Sequence, residues 1–162
     1  MRLLYSSSEI EKAVEKTVDF IKKTYRAGEE ILAVCVLNGA VLFFADLIKL
    51  LPDYKLIFDF ISASAYKGEH FNISQKIEGR NVLIIEDIVD TGLTLEYLKK
   101  CFMLKGAGEV KCVSLLDKPA ARKVNINPDF AALTLKGLPF VVGYGLDLNG
   151  LYRNLKDIYV IE

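Results

Sequence analysis

The chain has 162 residues, enough for one domain with a full hydrophobic core and too few for two comfortable ones, so a single domain over 1–162 is expected. Hydrophobic residues make up 52% of it and charged residues 26%, a globular composition that excludes disorder. Lys+Arg and Asp+Glu each number 21, so no overall basic field gathers polyanions; small ligands are expected as partners, and nucleic acid is not.

Ser6 to Ser8 followed by Glu9 marks a helix start, and Ile10, Val14, Val18 and Ile21 continue at helical spacing to about Tyr25. A buried strand is expected over 31–37, a tight turn at Asn38-Gly39 and an apolar helix over 41–50. A strand over 55–61 follows, then a polar, irregular stretch over 66–79. The aliphatic run Val82 to Ile85 is the next strand, followed by a helix over 95–104 that closes at Gly106. Strands are expected over 109–116, 130–135, 140–142 and 155–161, with Lys118-Pro119 breaking regular structure in between. Strands alternating with helices predict a doubly wound α/β sheet. The N-terminus has no apolar signal core, and no run reaches the roughly 18 apolar residues of a membrane span, so no membrane partner is expected. Cys35, Cys101 and Cys112 are odd in number and lack metal-ligand spacing. They read as buried thiols of a reducing compartment, and a cytoplasmic location is expected.

The most informative stretch is Val82 to Thr94. Four aliphatic residues fit a strand covered on both faces, and ligands gather at the carboxyl end of such strands. Thr91, Gly92 and Thr94 lead into a helix N-terminus, where backbone N–H groups and hydroxyls converge on an anion such as phosphate. Glu86 and Asp87 just before them would repel a bare phosphate, but they accept hydrogen bonds from a vicinal diol, directly or through a cation. Phosphate plus diol points to ribose 5-phosphate. Taken singly, each piece is also ordinary capping or core; together with Asp90 they exceed what capping alone asks for.

This stretch resembles the diphosphate-sugar signature of type I phosphoribosyltransferases, and segments downstream are similar to the hypoxanthine-guanine branch. The resemblance implies a type I phosphoribosyltransferase fold, a mainly parallel central sheet flanked by helices with a small hood from the terminal segments. Leu37, Asn38 and Gly39 match the loop whose backbone holds pyrophosphate, often through a non-proline cis peptide after Leu37; the family usually has lysine where this chain has Asn38. Ala65 and Tyr66 match the start of the catalytic lid, with Ala65 in place of a serine. His70 falls in that loop and is read as a surface residue rather than a catalytic one.

By the same resemblance Glu86 and Asp87 hold the ribose hydroxyls or magnesium, and Ile88, Val89, Asp90, Thr91, Gly92, Leu93 and Thr94 belong to the substrate-binding turn. Asp90 matches the acid/base residue at the purine N7. Lys118 matches the donor to the 6-oxygen of a 6-oxopurine, Phe140 the ring that stacks on the base, and Val141 its backbone neighbour. Two magnesium sites are implied, one at the diol and pyrophosphate beside Glu86 and Asp87 and one near Asp147, and Arg153 is implied as a pyrophosphate contact. The implied activity is magnesium-dependent transfer of phosphoribosyl from 5-phosphoribosyl 1-diphosphate to hypoxanthine or guanine, by a homodimer or homotetramer. A regulator of the same fold with weak or no catalysis, and a xanthine-preferring transferase, are the alternatives.

Overall fold

The computed structural model describes residues 1–64 and 71–161; Ala65, Tyr66 and His70 lie outside the described residues. Five parallel strands form the main sheet: β2 (Glu30–Leu37), β3 (Lys55–Ser62), β4 (Asn81–Val89), β5 (Glu109–Asp117) and β6 (Phe130–Thr134). Their order is β3-β2-β4-β5-β6. From β2 the chain steps outward to β3, returns to β4 on the other side of β2, and continues outward to β5 and β6. The direction of winding therefore reverses between β2 and β4, and the crevice at the carboxyl ends of those two strands is where doubly wound sheets bind ligands.

Helix α1 (Ser7–Thr24) opens with the expected capping box, in which Ser6 N–H donates to the Glu9 carboxylate at 2.8 Å and Glu9 N–H to Ser6 Oγ at 3.4 Å. A cap of this kind stabilises a helix by about 1 kcal/mol. The buried face of α1, Ile10, Ala13, Val14, Val18 and Ile21, packs with Phe43, Phe44 and Leu47 of α2 (Val41–Lys49) against one side of the sheet. Helix α3 (Leu93–Leu104) covers the other side through Leu95, Leu98 and Phe102. Alternation sorts the strands between these layers: Ile31, Ala33 and Cys35 of β2 and Leu83 and Ile85 of β4 face the first, Leu32, Val34 and Val36 with Val82 and Ile84 the second. Each large aliphatic side chain so buried contributes about 1.5–3 kcal/mol.

A small antiparallel sheet, β1 (Arg2–Tyr5), β8 (Ile158–Ile161) and β7 (Phe140–Val142) in that order, makes the hood. Strand β1 was not foreseen: four residues without alternation carry no local signal, and pairing such as Arg2 with Val160 is what defines them. The last strand begins at Ile158 rather than residue 155, because Leu155 is engaged in a turn, its N–H donating to Tyr152 O at 3.1 Å. Beyond β5 a short 3-10 turn, Pro119–Ala121, follows Lys118. No helix among the described residues is long and apolar enough to cross a membrane.

Candidate active site

The turn from β4 into α3 floors a cleft of about 400 Å³, lined by Glu86 to Gly92, Thr94 and Leu95 together with Ala63 and Ser64 beyond β3. Helix α3 has a glycine rather than a side-chain cap at its start, since Gly92 adopts φ 83°. A Cβ there would lie 2.8 Å from Ile126 Cγ2, so glycine serves both the left-handed conformation and the packing beneath it. Thr91 Oγ1 accepts from Leu93 N–H at 3.4 Å. The remaining first-turn N–H groups of α3 have no intrahelical acceptor, and with the helix dipole they favour an anion. Ile88 and Leu93 are half-buried and Val89 is buried, so these three offer the cleft mainly backbone. Asp90 is exposed, with its carboxylate accepting from Thr91 N–H.

Strand alternation continues past Ile85 and turns Glu86 and Asp87 to opposite sides of β4. Glu86 is only 5% exposed, and burial, then the charges of Asp87 and Asp90, push its carboxyl well above the usual range. Burial pushes Asp87 up to about 6, although Ile88 N–H donates to it at 2.8 Å and Arg153 acts in the opposite sense. Because this folded value exceeds the ordinary 3.8, the neutral form is favoured by folding; its stabilisation is complete below 3.8 and is lost as pH rises through about 6. In chelator, the melting temperature is therefore expected to fall between pH 4 and 7 by roughly 5 °C more in the parent than in Asp87→Asn. Parallel melting curves for the two proteins would contradict this.

The second wall is the turn after β2, where the Leu37–Asn38 peptide is cis. A Cβ on Gly39 would fall 1.6 Å from Asp87 Oδ2, so the absence of a side chain at Gly39 is what lets that carboxylate lie against the loop. The Gly39 carbonyl in turn presses on Gly145, φ 97°, where a Cβ would be 2.0 Å from the oxygen. Three segments thus stack through two glycines. The hood segment is fixed from behind: Tyr144 OH donates to Asp46 Oδ2 of α2 at 2.7 Å. Arg153 Nη1 donates to Gly145 O at 2.6 Å, and its Nη2 pairs with Asp147 Oδ1 at 2.7 Å. Asp147 also accepts from Gly150 N–H at 2.6 Å.

The third wall follows β5. Lys118 Nζ donates to Pro139 O at 2.8 Å, which sets it beside β7, where Phe140 is 50% exposed and Val141 buried. Glu86 to Gly92 and Thr94 thus meet in one cleft, Gly39 touches it through Asp87, and Lys118 reaches it through its own N–H, which donates to Val89 O at 2.9 Å. Asp147 pairs with Arg153 rather than with Glu86 and Asp87. Among the described residues no three His, Cys, Asp or Glu side chains are gathered to hold a metal. Asp46, Asp117, Tyr144, Gly145 and Arg122 were given no role of their own by the sequence. Only the packing shows the contact of Gly145 with Gly39, and nothing local marks Arg122.

The profile of the phosphoribosyl transferase domain matches residues 4–147. The hypoxanthine-guanine phosphoribosyltransferase of Bacillus subtilis is 41% identical over 170 residues, covering 99% of this chain and 93% of the relative. That of Lactococcus lactis is 39% identical, covering 99% and 91%. Among solved structures, a hypoxanthine-guanine phosphoribosyltransferase from Bacillus anthracis superposes with a TM-score of 0.92 at 37% identity, over 99% of this chain and 98% of that one. The hypoxanthine phosphoribosyltransferase of Trypanosoma cruzi does so at 0.91 and 33% identity, over 100% and 97%.

Proposed function

The chain belongs to the phosphoribosyl transferase family, and from that premise we propose that it is a purine-salvage enzyme. It transfers the phosphoribosyl group of 5-phosphoribosyl 1-diphosphate to N9 of hypoxanthine and guanine, giving IMP and GMP and releasing pyrophosphate. The observation that carries this is the turn after β4, where a buried acid, a half-buried acid, an exposed acid and a helix N-terminus share one cleft. The helix N-terminus with Thr91 and Thr94 takes the 5-phosphate, and Glu86 and Asp87 take the ribose diol. The sugar C1–oxygen bond to the diphosphate breaks, the C1–N9 bond forms, and the proton from the base passes to Asp90 at N7. Leu37, Asn38, Gly39 and Arg153 hold the leaving pyrophosphate, and Ala65 and Tyr66 belong to the lid that excludes water.

Magnesium fits this donor set. Two carboxyls driven up by desolvation suit a divalent cation, and the lack of a three-acid cage among the described residues suits an ion that takes its other oxygens from substrate and water. When bound, magnesium would neutralise charge on the diphosphate and orient the diol hydroxyls; we assign Glu86 and Asp87 to one ion at the diol and diphosphate and Asp147 to a second. Lys118 donates to the 6-oxygen and repels a 6-amino group, while the half-exposed ring of Phe140 stacks on the base. Measuring kcat/KM for hypoxanthine, guanine, xanthine and adenine tests the specificity. We expect the first two to exceed adenine by about 10³-fold or more; adenine turned over as well as hypoxanthine would overturn the role of Lys118.

The free thiols suit a reducing, cytoplasmic setting. We further infer a homodimer or homotetramer. Val41, Leu42 and Leu50 in and beside α2 are 40%, 36% and 45% exposed, and Phe58 and Phe60 on the edge strand β3 are 44% and 45% exposed. Both rings lean on Phe44, at 5.3 and 5.6 Å, so the apolar surface is continuous between helix and strand. Converting Phe58 and Phe60 to Glu is expected to give a monomer by light scattering; a parent protein already monomeric at micromolar concentration would contradict the assembly.

A further inference from the structure

Arg122 does not itself line the cleft, yet its side chain is only 12% exposed. Its Nη1 donates to Val89 O at 3.1 Å and to Asp90 O, and its Nη2 pairs with Asp117, the last residue of β5. The stem packs under Gly92, where a Cβ would meet Arg122 Cδ at 3.0 Å. Two backbone bonds flank the clamp, Lys118 N–H to Val89 O and Lys123 N–H to Thr91 O, both 2.9 Å. The carbonyls of three successive residues, Val89, Asp90 and Thr91, are thereby all held by the segment 118–123. Among the described residues, Arg122 alone donates to the Asp90 carbonyl.

The arrangement is a poor way to add stability. A guanidinium taken out of water is costly unless every N–H is paired, and among the described residues Arg122 Nε is buried without a partner. A positional role accounts for it. We propose that Arg122 is a positioning residue for the proton transfer: by holding the Asp90 backbone to the segment that begins at Lys118, it sets the distance between the carboxylate aimed at N7 and the ammonium aimed at the 6-oxygen of one purine. This rests on the assignment of Asp90 and Lys118 above. The amides of the first turn of α3 are also held by the helix itself, with Glu96 N–H donating to Gly92 O at 2.9 Å. Loss of Arg122 therefore affects the chemical step more than sugar binding.

The test is a double-mutant cycle between Arg122→Met and Asp90→Asn, reading kcat, KM for each substrate and melting temperature. With Asp90 present, Arg122→Met is expected to lower kcat about 30–100-fold while KM for the diphosphate sugar changes less than about 3-fold; in Asp90→Asn it lowers kcat less than about 3-fold. Arg122→Lys, which keeps a cation but not the fork, is expected to recover part of the loss, and it takes the place of Met should the Met variant fail to fold. Equal losses in both backgrounds, or a change confined to KM, overturn the role of Arg122 alone. An Asp90→Asn enzyme as fast as the parent overturns the Asp90 assignment and the Arg122 role with it.

Discussion

Replacing Asp90 by Asn is expected to lower kcat by about 10²–10⁴-fold, the range that a positioned general acid or base contributes. The substitution is close to isosteric, and an amide oxygen still accepts from Thr91 N–H, so the turn keeps its shape. What disappears is the ability of the exposed carboxylate to take the proton from N7. Magnesium-dependent binding of the diphosphate sugar should stay within a few-fold of the parent, because the anchors proposed for it are the amides of α3 and the acids Glu86 and Asp87. Turnover surviving within a few-fold, with binding unchanged, would remove Asp90 from the mechanism.

Gly39→Ala is the second large effect, expected to weaken binding of the magnesium-diphosphate sugar by about 10²-fold. The added carbon would sit 1.6 Å from Asp87 Oδ2 and must evict that carboxylate from the loop. The fold has little at stake, since Gly39 is not among the residues with positive φ and alanine fits its backbone. The melting temperature in chelator should thus move little, while a charge-assisted contact worth about 2–3 kcal/mol is lost from the site. Titration calorimetry on parent, Gly39→Ala and the double variant Gly39→Ala/Asp87→Ala separates packing from chemistry. The double variant is relieved of the clash yet should bind as poorly as Gly39→Ala. Parent-like affinity in Gly39→Ala would show that the Asp87 carboxylate is not needed where it lies.

These two residues differ in how legible they were. Asp90 declared itself locally, because its strand, its glycine and its hydroxyls follow one another in sequence and their periodicities are strong. The sheet strands and three helices were readable for the same reason, with boundaries off by up to three residues where a turn hydrogen bond, as at Leu155, competes with the ladder. Gly39 was placed in a pyrophosphate loop by resemblance, but its contact with Asp87 joins the ends of two different strands, and no local pattern encodes that distance. Arg122 is harder still. It follows a proline break in a stretch without periodicity, where an isolated arginine reads as a solvated surface residue, and only the folded chain returns it under the turn of β4. Strand β1 fell to the same limit, being defined by its partner β8 rather than by its own four residues.

The central claim is tested most directly by mixing the purified protein with 5-phosphoribosyl 1-diphosphate and hypoxanthine, and following IMP and pyrophosphate together, with magnesium and with chelator. We expect both products in equal amounts, turnover that requires base and magnesium, and guanine giving GMP in the same way. Tight binding of the diphosphate sugar or of a purine nucleotide, with no turnover of any base, would contradict a salvage transferase.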